Sequence, residues 1–270
     1  MPHTAPLPPQ RHPAAAGLRW LKQACRLMCQ RRLVPYLFGL TLLQIIGTGI
    51  YWTVIEHTPW QAWGQQHWWA WRTLHDLADS QIGLLLSSFG LFAVHQQQTV
   101  GQTDWRAILP LLCRRLPSLA GVWLLLFLLF YMALPNGLFA FLSEIRSLSP
   151  SGQFTAYLLI MNLLMPLWSA AFFLVSPLML AAVPAKPAIR ASLRAARANW
   201  RPILIALSPF WLISIFMWWA GSGLFAFDPD WYFQLDYILL PLLFGPLDPA
   251  LCYLICRDIY PSHTANQANG

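Results

Sequence analysis

The sequence is short of charge. Only 10% of its 270 residues are Asp, Glu, Lys or Arg, against about 25% in an ordinary soluble domain. A soluble fold this poor in charge cannot cover its own surface. Acidic residues number ten, too few and too scattered to compose an acid–base pair. No GxGxxG or Walker loop, no HExxH and no GxSxG element is present, so the phosphate-cradling, zinc-hydrolase and nucleophile-elbow chemistries are not expected. No catalytic residue and no cofactor is nominated.

What the chain has instead is apolar length. It is 57% hydrophobic and carries 15 tryptophans. The pattern predicts an all-α, polytopic membrane protein with six transmembrane helices at about 33–55, 77–94, 116–141, 153–183, 202–227 and 235–256. These spans form one domain, 17–260, between tails 1–16 and 261–270 that are expected to be disordered. The opening MPHTAPLPPQRHPAAA is rich in Pro and Ala and is unlike a signal peptide, because no apolar core follows until Leu33. The mature protein is therefore expected to begin near Met1. The second span has an apolar core of only 13 residues, Ile82 to Val94, and reads as a short or bundle-buried helix.

The basic residues sit in clusters between the apolar runs. Arg190, Arg194, Arg197 and Arg201 are spaced four, three and four apart, which places them in a sector of roughly 60° on one helical face. From Gly17 to Arg32, Arg19, Lys22 and Arg26 share a face opposite Trp20, Leu21, Ala24, Cys25 and Met28. This predicts an interfacial helix with its cations toward anionic headgroups and Trp20 at headgroup depth. Pro35, Pro117 and Pro202 each follow basic residues and precede an apolar run. The spacing reads as three copies of one unit: basic interfacial helix, span, outside loop, span. Placing the N-terminus, the second and fourth loops and the C-terminus in the cytoplasm puts fifteen of seventeen basic residues inside, so both termini are predicted to be cytoplasmic. Charge so distributed points to membrane lipids as partners and not to nucleic acid. All five cysteines fall on or near that same side, which leaves no disulfide framework.

Three features carry candidate chemistry. Trp60, Trp63 and Trp71, in an outside loop from Glu56 to Asp79, read as an outer interfacial anchor in preference to a ligand pocket. The i, i+4 pairs Cys25/Cys29 and Cys252/Cys256 and the trio His57, His67 and His75 match no metal-ligand pattern, and no metal is expected. Asp248 lies inside the sixth apolar run, where an ionisable group is a functional hypothesis such as a proton or cation relay. In GPLDPAL it also precedes Pro249, so a cap on a helix restarting after Pro246 is the preferred reading.

Three stretches carry a resemblance: LRWLKQACRLMCQRRLVPYL, SPLMLAAVPAKPAIRASLRAARANWRP and CYLICRDIY. They resemble a family of bacterial polytopic inner-membrane proteins of unknown function, distantly similar to the membrane domain of glycerophosphodiester phosphodiesterases. The resemblance implies a multi-pass inner-membrane location and no established catalytic residues. The expected function is a non-enzymatic integral component in membrane organisation or envelope homeostasis. The alternative is a small transporter or transporter subunit using Asp248 and the broken sixth helix.

Overall fold

The computed structural model describes residues 8–56, 68–129, 137–138, 141–142, 144, 150–219 and 238–261. Among the described residues the chain is all helical, with no strand. In chain order the helices are α1 (Ala15–Met28), α2 (Val34–Glu56), α3 (Trp68–Thr99), α4 (Trp105–Phe127), α5 (Pro150–Phe172), α6 (Val175–Leu180), α7 (Ala185–Trp219), α8 (Leu240–Phe244) and α9 (Leu247–Ile259). Two stretches, Trp105–Phe127 and Leu240–Ile259, are long and apolar enough to cross a membrane. Val34–Gly47 and Pro166–Leu180 are apolar and shorter. The expected spans 116–141, 202–227 and 235–256 run in part through residues outside the described ones.

Several boundaries differ from expectation for identifiable reasons. The outside loop expected from Glu56 to Asp79 is helical from Trp68 onward, and α3 carries it without interruption through the second span. Trp60 and Trp63 lie outside the described residues, and Trp71 is placed on α3 by its backbone alone. The long fourth span breaks at Phe173 and Leu174, between α5 and α6. The buried Ser192 hydroxyl mends that break. It accepts from the Leu174 N–H at 3.3 Å and donates to the Ala171 carbonyl at 2.7 Å. Ser176 accepts from the Trp123 indole at 2.8 Å.

The three basic-to-apolar junctions also differ from one another. Between α1 and α2 the chain turns at residues 29–33 before Pro35 enters the first turn. Before Pro117, α4 is a single helix whose N-terminus is capped by Asp104, which accepts from the Arg106 N–H at 2.9 Å. Before Pro202, α7 passes through non-helical angles at Asn199, φ −131° and ψ 29°. Proline removes one helical hydrogen bond and crowds the preceding turn, and Asn199 is where that disturbance surfaces.

The segments expected on the cytoplasmic side are bonded to one another. Arg32 donates to the Gly101 carbonyl at 2.6 Å and the Tyr36 hydroxyl to the Thr103 carbonyl at 3.0 Å. Arg115 donates to the Leu180 carbonyl, and the Tyr260 hydroxyl to the Ala191 carbonyl at 2.8 Å.

Helix α1 is not the free interfacial helix its pattern predicts. Its apolar stripe, Ala16, Trp20, Ala24 and Leu27, is buried in the main core, packed on α7 and α9. Trp20 is fully buried, so protein and not the lipid surface covers its ring. An indole buries about 200 Å² of surface, worth several kcal/mol, and protein supplies that surface here. Gly17 permits the approach: a Cβ there would collide with the Pro202 carbonyl oxygen and lie 2.8 Å from Ile205 Cβ. Gly17→Val is expected to lower stability by about 1–3 kcal/mol through overpacking, seen as a reduced melting temperature of the detergent-solubilised protein followed by tryptophan fluorescence.

Candidate functional site

The chain's apolar helices enclose a cavity of about 520 Å³, within the range of small-molecule sites. Thr41 and Gln44 of α2, Gly83, Ser87 and Ser88 of α3, and Trp123 and Phe127 of α4 contribute to its wall. Trp168 and Phe172 of α5, Phe210 of α7 and Phe244 of α8 add to the aromatic part of the wall. The aromatic groups pack in pairs: the Trp168 and Phe172 rings are 4.3 Å apart between centroids, and Phe210 and Phe244 5.1 Å. Apolar wall dominates, as a span-rich sequence dictates.

Among the described residues Asp248 is the only formally charged side chain in this wall. It stands in the first turn of α9, but it is not that helix's N-cap. Pro246 holds the cap position, and no side chain bonds there. The capping reading of Asp248 is therefore corrected. Its Oδ2 accepts instead from the Ser87 hydroxyl of α3 at 2.5 Å. Gly90 lets α3 and α9 come this close, since a Cβ there would lie 2.9 Å from Pro249 Cγ. Among the described residues no Lys, Arg or His pairs with Asp248. Next to Ser87 on α3, Ser88 is 2% exposed, and its hydroxyl has no hydrogen-bond partner among the described residues. Among those residues the cavity thus carries one carboxylate without a counter-cation.

A second polar cluster closes the other end of α9. The Trp20 indole donates to Asp258 Oδ2 at 2.8 Å, and Arg257 donates through Nε and Nη2 to Oδ1 at 3.1 and 3.0 Å. Arg19 lies 3.7 Å from Oδ2 and is half exposed, so it adds little. His12 Nε2 reaches the Asp258 carbonyl at 3.1 Å, and its backbone N–H donates to Asn199 Oδ1 at 2.7 Å. The Asn199 amide donates in turn to the Gln10 carbonyl at 2.8 Å, and the Gln10 N–H donates to the Ile259 carbonyl at 3.1 Å. Residues 8–16 of the tail expected to be disordered are thus fastened to α7 and α9. Burial pushes the neighbouring Tyr260 phenol up to about 12, which keeps it a neutral donor.

The predicted site residues divide accordingly. Arg190, Arg194, Arg197 and Arg201 form an exposed stripe on α7, opposite the buried Ala188, Ala191 and Ala195. Arg19, Lys22 and Arg26 form the exposed face of α1, which packs against α7. The half-exposed Trp200 and Trp105 rings lie beside Arg201 and Arg106, at 5.1 and 5.5 Å. Cys25 and Cys29 are exposed, whereas Cys252 and Cys256 are buried. Among the described residues no three His, Cys, Asp or Glu side chains gather.

No family model matches the chain, and no match was found among curated proteins or solved structures.

Proposed function

We propose that this chain is a six-span protein of a bacterial inner membrane, with both termini cytoplasmic, acting as a small carrier for a molecule bound inside its helical bundle. The observation that carries the reading is Asp248, the one charged side chain among the described residues of the cavity wall. It lies ten residues before Asp258 on α9, which is about 15 Å along the helix axis. With the Asp258 cluster at the cytoplasmic interface, Asp248 stands near the middle of a hydrocarbon layer about 30 Å thick. One carboxyl at that depth holds either a proton or a ligand cation, and a protein that swaps the two couples their movements. A purely organising role gives such a group no task.

The topology draws on the clustering of basic residues and on the bonds among the segments that carry them. The arginine stripe on α7 and the cationic face of α1 border one another and meet anionic headgroups as a consequence of that topology, each cation contributing about 1 kcal/mol near such a surface. The similarity to inner-membrane proteins of unknown function fits this reading and adds no reaction to it.

Proteoliposomes loaded with a pH-sensitive dye test the carrier function. Under an imposed pH gradient, solutes from a panel of ammonium, neutral and carboxylate compounds are added singly. At least one is expected to collapse the gradient in wild type and to leave it intact with Asp248→Asn. No response to any of them from correctly inserted protein overturns the reading.

A further inference from the structure

We infer that the cavity selects a hydrophobic organic monocation, an inference that rests on the carrier reading above. Charge complementarity is the first ground. Among its described residues the wall holds a carboxylate and no cationic side chain, so an anion entering it meets repulsion from Asp248 with no compensating partner there. Burying a charge without an opposite one costs several kcal/mol, and a ligand with a single positive charge removes that cost for itself and for Asp248.

The aromatic wall is the second ground. Trp123, Trp168, Phe172, Phe210 and Phe244 border the same space as Asp248. Ring faces attract cations, Trp most strongly, and the attraction grows when water is excluded. A small inorganic ion would use the carboxylate and leave most of an apolar volume of about 520 Å³ unfilled. An uncharged hydrocarbon would fill the volume and leave Asp248 unanswered. A cation carrying aromatic or alkyl groups answers the rings, the carboxylate and the volume together.

Three probes of different charge separate these cases: tetraphenylphosphonium and tetraphenylborate, of nearly equal size, and the smaller, neutral triphenylphosphine oxide. Binding is measured on full-length protein in nanodiscs, with empty nanodiscs as the partitioning control. Tetraphenylphosphonium is expected to bind saturably, and the other two not to compete. Asp248→Asn keeps an acceptor for the Ser87 hydroxyl and is expected to weaken phosphonium binding about tenfold or more, the loss of at least one charge-mediated contact, at an unchanged melting temperature. Asp248→Glu, which restores the charge, is expected to recover much of the affinity and guards against a folding artefact. If the neutral or anionic probe binds as tightly as the cation, or if Asp248→Asn binds the cation like wild type, the charge assignment is wrong while the cavity reading stands. If none of the three binds saturably to folded protein, both fall.

Discussion

Asp258→Ala is expected to detach the N-terminal segment and α1 from the rest of the protein. The Trp20 indole N–H is fully buried and its partner is the Asp258 carboxylate. Removing the acceptor leaves that donor unsatisfied, and the Arg257 guanidinium loses both of its bonds to the same side chain. Hydrogen bonds to charged groups contribute about 1.5–3 kcal/mol, and an orphaned buried donor costs about 1–3 kcal/mol, so a total loss of about 2–4 kcal/mol is expected. The accompanying readout is local. Arg11, Arg19, Lys22, Arg26, Arg31 and Arg32 should become cleavable by trypsin in the folded, detergent-solubilised protein before any site in α7. Trp20→Phe keeps the ring and removes the donor, so adding it to Asp258→Ala should cost much less than it does in wild type. Full additivity of the two changes would show that the indole–carboxylate bond is not what holds α1.

Gly83→Leu is expected to abolish ligand binding and transport while leaving the fold intact or strengthening it. Among the described residues a Cβ at position 83 meets only Gln44 Nε2, at 3.9 Å, so the new side chain is expected to enter the cavity without displacing a helix. Glycine within a helix costs close to 1 kcal/mol relative to good helix formers, and the substitution recovers most of that within α3. Few occluding variants separate occupancy from stability this cleanly, because most additions to a packed wall lower both. The measurement is phosphonium binding in nanodiscs beside the melting temperature. Undiminished binding at full stability would place the ligand outside the volume that Gly83 borders.

Much of the cationic surface was legible in the residues. The four, three, four spacing of Arg190 to Arg201 put the guanidinium groups on one helical face, and that face is exposed. Asp248 stood out because it is charged within an apolar run, and it does border a cavity. Its partner could not be read, since Ser87 is 161 residues away and serine in a span is most often a packing residue. The same limit produced the error at Trp20. Periodicity places an apolar side chain on a face and does not say whether lipid or protein covers it; here the cover is α9, 238 residues further along. Asn199 passed without notice because a buried asparagine reads as a helix imperfection until the segment it grips is seen. The three stretches behind the family resemblance meet at this one junction: Trp20, Asn199 and Asp258 each come from a different one.

That junction imposes an order on biosynthesis. The Asp258 acceptor leaves the ribosome 238 residues after Trp20. At about 5–20 residues per second, roughly ten to fifty seconds separate the two. Through that interval the apolar stripe of α1 has no α9 to cover it, and the nascent chain must shelter it at the lipid surface or on a holding factor. A polypeptide truncated before Asp258 thus displays an uncovered α1 stripe that a quality-control protease can read.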